Sequence, residues 1–384
     1  MSQWKKVKLK DICLSISDGD HLPPPKTDHG IPFITISNID STNHLDFSNT
    51  LFVPQEYYDN VDEKRKAKAG DILYSVVGSF GKPVLIMENK PFAFQRHIAI
   101  LRPDNDIVDS AFMYYAMMTC NFYMQADSVA LGAAQRTISL GSLRDMTIEM
   151  PTKDVQQRIA NILSKYDSLI ENYQQQIKLL EEAAQRLYKE WFVDLHFPGY
   201  ENTKIVDGVP EGWEKTVLSK IAEFRRGKTV VKKEITVGSI PVVAGGLTPA
   251  YYFNKANTEN RVITISGSGA NAGFTKLYYQ RVWASDCSFV DTSMTEHLYF
   301  VYCFMKANKI NIDNLQKGAA QPHVYAKDIN NLQIIIPDHN ILSQFEAKVA
   351  NAFERIAILK SQLRLLTEAR DRLLPKLMSG EIEV

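Results

Sequence analysis

Apolar residues recur through residues 154–192 in steps of four and three: Ile159, Leu163, Tyr166, Ile170, Tyr173, Ile177, Leu180, Ala184, Leu187 and Trp191. Such alternation puts each of them on an a or d heptad position, the narrow stripe along which one helix lies against another. Gln156, Gln157, Arg158, Glu171, Lys178, Glu181 and Arg186 fall between them as a solvated face, and no Gly or Pro interrupts the run. The pattern predicts one helix about 58 Å long at the standard helical rise. Its seam needs a partner.

The chain contains one. Moving each seam position forward by 186 residues gives Phe345, Val349, Ala352, Ile356, Leu359, Leu363, Leu366, Arg370, Leu373 and Leu377, apolar at nine places of ten. The match begins earlier: the Gly-Ala-Ala-Gln stretch at 132–135 recurs at 318–321, and Pro151 at Pro337. Trp4-Lys5-Lys6-Val7 matches Trp213-Glu214-Lys215-Thr216 at an offset of 209, so the first globular segment is about 23 residues longer. This is an internal duplication of globular segment and long helix. It divides the chain into a first domain at 1–152, a helix at 153–196, a second domain at 197–337 and a helix at 338–384. Pairing of each helix with a second chain is the alternative, but the match of two seams within one chain favours an intramolecular pair. The roughly 150 connecting residues permit parallel or antiparallel packing. Pro375 is expected to end or kink the second helix and leave it the shorter one. Arg370, the charged seam position, is expected to lay its stem on apolar surface with the charge reaching outward.

In the first globular segment, residues 4–16 form a short amphipathic piece and 18–25 a loop stiffened by Pro23, Pro24 and Pro25. Strands are expected at 31–36, 72–77, 83–87 and 97–101, with a glycine turn at 78–81 closing a hairpin, and a helix at 110–126. After a linker at 197–212 the plan repeats: a piece at 213–224, a basic loop at 225–228, strands at 240–244, 262–265 and 277–283, and a helix at 296–307. Helices and strands mix without regular βαβ alternation, so the fold class is α+β.

Composition adds limits. The 384 residues are 45% hydrophobic, enough for two cores. Lys+Arg and Asp+Glu are both 44, so any basic surface is local. Cys13, Cys120, Cys287 and Cys303 include no CxxC pair and read as small buried residues of a reducing compartment. No apolar signal core opens the chain and no apolar run reaches a membrane-spanning length, which points to a soluble, cytoplasmic protein.

Several stretches then agree, in order, with one family. Residues 132–138 lead through 148–151 into Gln157-Arg158-Ile159-Ala160. Residues 184–194 run from Ala184-Gln185-Arg186 to Asp194, residues 209–213 read Val-Pro-Glu-Gly-Trp, and the chain closes on 372–381. Along its whole length the sequence resembles specificity (S) subunits of type I restriction-modification enzymes. The resemblance implies two target recognition domains, each reading one half of a bipartite DNA sequence, held apart by an antiparallel coiled coil with internal pseudo-two-fold symmetry. It further implies double-stranded DNA, two adenine methyltransferase (M) subunits and restriction (R) subunits as partners. The S subunit would catalyse nothing and bind no cofactor, with S-adenosylmethionine on the M subunits and ATP and Mg on the R subunits.

Candidate DNA contacts in the first domain are Lys26, Ser79, Lys82, Arg96, Gln135 and Arg136. In the second they are Arg225, Arg226, Lys228, Ser268, Asn271, Gln321 and His323. Arg, Gln and Asn suit bidentate contacts to base edges, whereas Lys suits phosphate. Gln135 and Gln321 hold the same place in both repeats, so a shared structural role competes with base reading.

Other chemistry is less well matched. The turn at 267–273 has its last glycine one place late for a dinucleotide site and leads into strand. Asp71 with Glu88 and Lys90 has the residue types of a nuclease metal site, but the repeat places Arg261 near the position of Asp71. Asp18, Asp20, His21 and His29 read as a polar loop, and the Asn/Asp-Pro-Pro-aromatic signature of amino-methyltransferases is missing. A metal-dependent nuclease with a coiled-coil dimerisation arm is the second reading, and a coiled-coil adaptor the third.

Overall fold

The computed structural model describes residues 4–21, 24–40, 42–133, 135–230, 238–318 and 321–384. Residues 22–23 of the proline loop and the alanines at 134, 319 and 320, within the repeated Gly-Ala-Ala-Gln stretches, lie outside the described residues. The chain forms two compact units, Met1–Glu171 with Arg364–Val384, and Asn172–Leu363. The division falls inside both long helices, so each unit contains part of each.

The long helices are Lys153–Tyr188, continued by a π-helical turn at Lys189–Val193, and His339–Met378. On the first, Ile159, Leu163, Ile170, Ile177, Ala184 and Trp191 are buried, and Tyr166, Tyr173, Leu180 and Leu187 half-buried. On the second, Phe345, Val349, Ile356, Leu359 and Leu377 are buried, and Ala352, Leu363, Leu366 and Leu373 half-buried. Within each unit the helices run antiparallel. In the first unit Asp167 meets Arg370 at 2.8 Å, while Ile159 and Leu163 share a core with Leu374 and Leu377. In the second, Glu181 meets Lys360 at 2.9 Å and Tyr188 meets Phe345 at 6.2 Å between ring centroids. The residue number rises on one helix as it falls on the other.

Two expectations about the second helix need correction. Pro375 lies inside it without breaking it, and its 40 residues come within one residue of the first helix with its π-helical turn. Pro375 sits in the last turn, where the donor it lacks is one bond near an end that frays anyway, and buried Leu374, Leu377 and Met378 hold that turn down. Arg370 does not reach outward either. Its guanidinium is held between Asp167 and Asp371, each at 2.8 Å, and Tyr115 donates its hydroxyl to the other oxygen of Asp167 at 2.6 Å.

The globular parts share one topology. Strand Lys5–Lys8 pairs antiparallel with Thr147–Met150, and Glu214–Val217 with Gln333–Ile336. A four-stranded sheet runs in the order Cys13–Asp18, Ile98–Pro103, Ile72–Ser75, Pro83–Leu85, and its counterpart Arg225–Arg226, Cys287–Asp291, Val262–Ser266, Thr275–Tyr278. A three-stranded sheet, Leu51–Val53, Ile31–Ile34, Ala93–Phe94, matches Tyr251–Phe253, Ile240–Val243, Trp283–Ala284, and in both the last pair is parallel. The strand expected at 277–283 is therefore two strands in different sheets. The helix expected at 110–126 is likewise two, Ser110–Met117 and Cys120–Val129, because the Thr119 side chain accepts the Phe122 N–H and starts a new helix. Residues 197–212, read as a linker, hold a hairpin of Ile205–Val206 with Val209–Pro210.

In each unit a globular helix seats on the long pair. Buried Phe112 and Met113 join Ile159 and Leu163 in the first core. In the second, Phe300 of helix Leu298–Ala307 meets Tyr188, Phe192 and Phe345 with centroids 4.9–6.3 Å apart. Half-buried Glu346 caps that helix, accepting the Phe300 N–H at 2.8 Å. Burial pushes its carboxyl up to about 7 from an ordinary 4.5, against the pull of the donors. An acid raised on folding stabilises fully below its unfolded value, and that contribution is lost as pH rises through the folded one. Glu346→Gln keeps the acceptor and removes the charge. It should be about 1–3 kcal/mol more stable than wild type at pH 8 and equal to it near pH 4, as thermal melts across that range will show.

Candidate nucleic-acid interface

One local construction occurs in both units. In the first, the chain leaving strand Ile72–Ser75 meets a hairpin at 131–137. Leu131 and Thr137 exchange backbone hydrogen bonds of 2.9 and 2.8 Å, Gly78 N–H donates to Arg136 O at 2.9 Å, and Ile138 N–H to Val76 O at 2.8 Å. In the second, Lys317 and His323 exchange bonds of 2.9 and 2.8 Å, Gly269 N–H donates to Pro322 O at 3.0 Å, and Val324 N–H to Gly267 O at 3.0 Å. Gly132 and Gly318 open the hairpins at φ of 111° and 98°, where an added Cβ would stand 2.6 and 2.8 Å from the carbonyls of Gln135 and Gln321. Only glycine fits there. The glycines of the two repeated stretches are thus structural backbone positions, and the side chains of Gln135 and Gln321 stay exposed.

A second shared feature was not singled out in the sequence. Gly19 N–H donates to Ile98 O at 3.1 Å and Gly227 N–H to Cys287 O at 2.8 Å, the same step beyond the first strand of each four-stranded sheet. A Cβ on Gly19 would lie 2.1 Å from Phe94 O, and on Gly227 2.3 Å from Ser285 O. Asp-Gly-Asp and Arg-Gly-Lys therefore occupy one position. Their opposite charges hide the match, and only the shared glycine betrays it.

The candidate residues divide by environment. Ser79 and Gln135 are exposed at the first unit's turn and hairpin, with the Ser79 carbonyl accepting Ser75 Oγ at 3.0 Å. Arg136 is partly exposed but engaged, its guanidinium 2.5 Å from Asp127 and 5.2 Å from the centre of the Phe80 ring. Lys82 is half-buried and reaches Ile39 O and Asp40 O at 3.4 and 3.3 Å, a loop tie. Exposed Arg96 stands beside the Asp-Gly-Asp step through its N–H bond to Asp20 O at 2.9 Å. Burial, and then Arg96, hold neighbouring His97 below its usual range. Exposed Lys26 lies apart, next to Thr27 at the edge of the three-stranded sheet.

In the second unit Arg225, Arg226, Lys228 and Gln321 are exposed. Arg226 and His323 line one small cavity of about 60 Å³ with Asp286, which the sequence did not suggest. Ser268 donates its hydroxyl to Asp286, and His323 stacks on Tyr325 at 6.0 Å. Asn271 faces elsewhere, into a cavity lined by Lys309 and Gln316. The structure gathers Arg226, Ser268, Gln321 and His323 around one hairpin and leaves Asn271 out.

The nuclease reading fails on Asp71. Its carboxylate is buried and takes two hydrogen bonds from Arg102, at 2.9 and 2.8 Å, and a third from the Lys68 N–H at 2.8 Å. Glu88 is instead exposed and paired with Lys90 at 2.7 Å. Asp18 meets His21 at 2.8 Å and Tyr57 of the helix Gln55–Asp59 donates to Asp20, so that loop is tied within itself and to the domain. Among the described residues no group of three or more His, Cys, Asp or Glu is placed to hold a metal, and no helix is long and apolar enough to cross a membrane. Asp71→Ala would strand the Arg102 charge on the inner strand Ile98–Pro103 and should cost about 3 kcal/mol in a denaturant titration.

The sequence profile of the type I restriction modification DNA specificity domain matches residues 1–182 and 210–365. The MjaIX specificity subunit of a type I restriction enzyme from Methanocaldococcus jannaschii is 29% identical over 306 residues, covering 73% of this chain and 70% of its own. The HindI specificity subunit from Haemophilus influenzae is 25% identical with both chains fully covered. The crystal structure of a type I restriction-modification S subunit from M. genitalium superposes with a TM-score of 0.64 at 20% identity, covering 97% of this chain and 96% of that one. The profile match over most of the chain leads to one conclusion: the chain belongs to the type I restriction-modification DNA specificity family, as a non-catalytic DNA-recognition subunit.

Proposed function

We propose that each unit reads one half of a split DNA target, and that the paired helices fix the spacer and carry two adenine methyltransferase subunits. Restriction subunits join that complex in the cytoplasm. S-adenosylmethionine sits on the methyltransferases and ATP with Mg on the restriction subunits, leaving this chain without a cofactor. The observation that carries this reading is the repeated tip. Two units of one topology each present a glycine-opened hairpin with an exposed glutamine beside a polar turn, but with different side chains around it. A shared scaffold with divergent tips is what two different half-sites require, since backbone contacts position a reader and side chains at base edges specify it. Co-expression with the cognate methyltransferase, followed by genome-wide mapping of N6-methyladenine, tests it. A two-part motif with a fixed gap is expected. A continuous motif, or no methylation from an assembled complex, would contradict it.

A further inference from the structure

The backbone equivalences of the two units expose an electrostatic difference at the recognition tips. Gly19 N–H to Ile98 O corresponds to Gly227 N–H to Cys287 O, and Asp20 N–H to Phe94 O, at 3.0 Å, corresponds to Lys228 N–H to Ala284 O, at 2.8 Å. On that register Asp18 stands where Arg226 stands, and Asp20 where Lys228 stands. Asp18 is engaged by His21 at 2.8 Å and Arg65 at 3.8 Å. Arg226 and Lys228 are exposed, and among the described residues no acidic side chain lies within ion-pair distance of either. The globular segments differ in the same sense. Residues 1–152 hold 15 Lys and Arg against 18 Asp and Glu, a net charge of −3, and residues 197–337 hold 16 against 12, a net charge of +4. The zero charge of the whole chain conceals two domains of opposite sign.

We propose that the second unit is the electrostatic anchor on DNA. Arg226 and Lys228 grip phosphates there, while Asp18 and Asp20 deny the equivalent grip to the first unit. This rests on the reading of both units as DNA readers. Each phosphate neutralised by a cation releases condensed counterions, so the anchor supplies affinity that is independent of sequence and sensitive to salt. The first unit then engages through base and shape contacts, which carry specificity with little non-specific affinity. On random DNA the two halves of the protein behave differently.

Hydrogen exchange on the full-length chain with a short random-sequence duplex at low salt reads this directly. The matched amides of Gly19 and Asp20, and of Gly227 and Lys228, are built-in reporters. Exchange at 227–228 should slow on adding DNA while exchange at 19–20 stays unchanged. The exposed double variant Arg226→Ala/Lys228→Ala should melt like wild type and lose about two from the slope of log affinity against log salt. Asp18→Asn/Asp20→Asn should not lower that slope. Equal protection of both pairs, protection at 19–20 alone, no binding, or an unchanged slope in the Arg226/Lys228 variant overturns the anchor. If the assembled complex still writes a split methylation motif, only the anchor falls. If it writes none, the reading of the units falls with it.

Discussion

Phe345→Ala is expected to remove about 3–5 kcal/mol from the stability of the second unit, the largest effect of any single truncation considered. Phe345 is fully buried on the second long helix, with Tyr188, Trp191, Phe192 and Phe300 at centroid distances of 5.0–6.3 Å. Those rings come from three elements: the end of the first long helix, the second long helix and the globular helix Leu298–Ala307. Truncation loses the transfer energy of the ring and leaves a cavity that four aromatic neighbours cannot close without leaving their rotamers. Chemical denaturation followed by a reporter in the second unit will measure the loss. A change under 1 kcal/mol would mean that the globular helix is held by something other than this cluster.

Gly227→Ala is expected to abolish recognition by the second unit while leaving most of the chain folded. The added methyl would lie 2.3 Å from Ser285 O and 2.6 Å from the carbonyl carbon and oxygen of Ala284, all backbone atoms that no rotamer change relieves. The strand end must therefore part from Trp283–Ala284, displacing Arg226 and Lys228. Gly19→Ala should do the same to the first unit, with 2.1 Å to Phe94 O. Gly141→Ala is the control, since its nearest neighbour would be Ser139 Oγ at 3.7 Å within the helix Leu140–Asp145, where Ala is the better helix former. DNA-binding titrations should show loss for the first two and none for the third.

These effects also show what a sequence can disclose. A heptad seam is a local periodicity, so Ile159 through Leu377 and the offset of 186 residues could be read directly. The direction of pairing could not, because an a/d stripe is the same from either end. It is set by contacts such as Asp167 with Arg370, which are 203 residues apart. The hairpin at 131–137 docks on the turn after Ser75 through hydrogen bonds to Val76 and Gly78, a pairing with no periodic signature. Asp71 illustrates the same limit. Its residue type suited a metal site, but its partner Arg102 lies 31 positions away on a neighbouring strand. Arg136 has the chemistry of a reader, but Asp127 and the Phe80 ring engage its guanidinium. Charged residues in loops announce their chemistry in sequence, whereas their availability depends on long-range folding.

The central claim is that each globular unit reads its own half of one target. Exchange of residues 213–336 for the equivalent segment of another specificity subunit, with methyltransferase partners unchanged, tests it most directly by methylome mapping. The account predicts that one half of the split motif changes while the other half and the spacer length are retained. A motif altered in both halves, or unaltered in either, would contradict it.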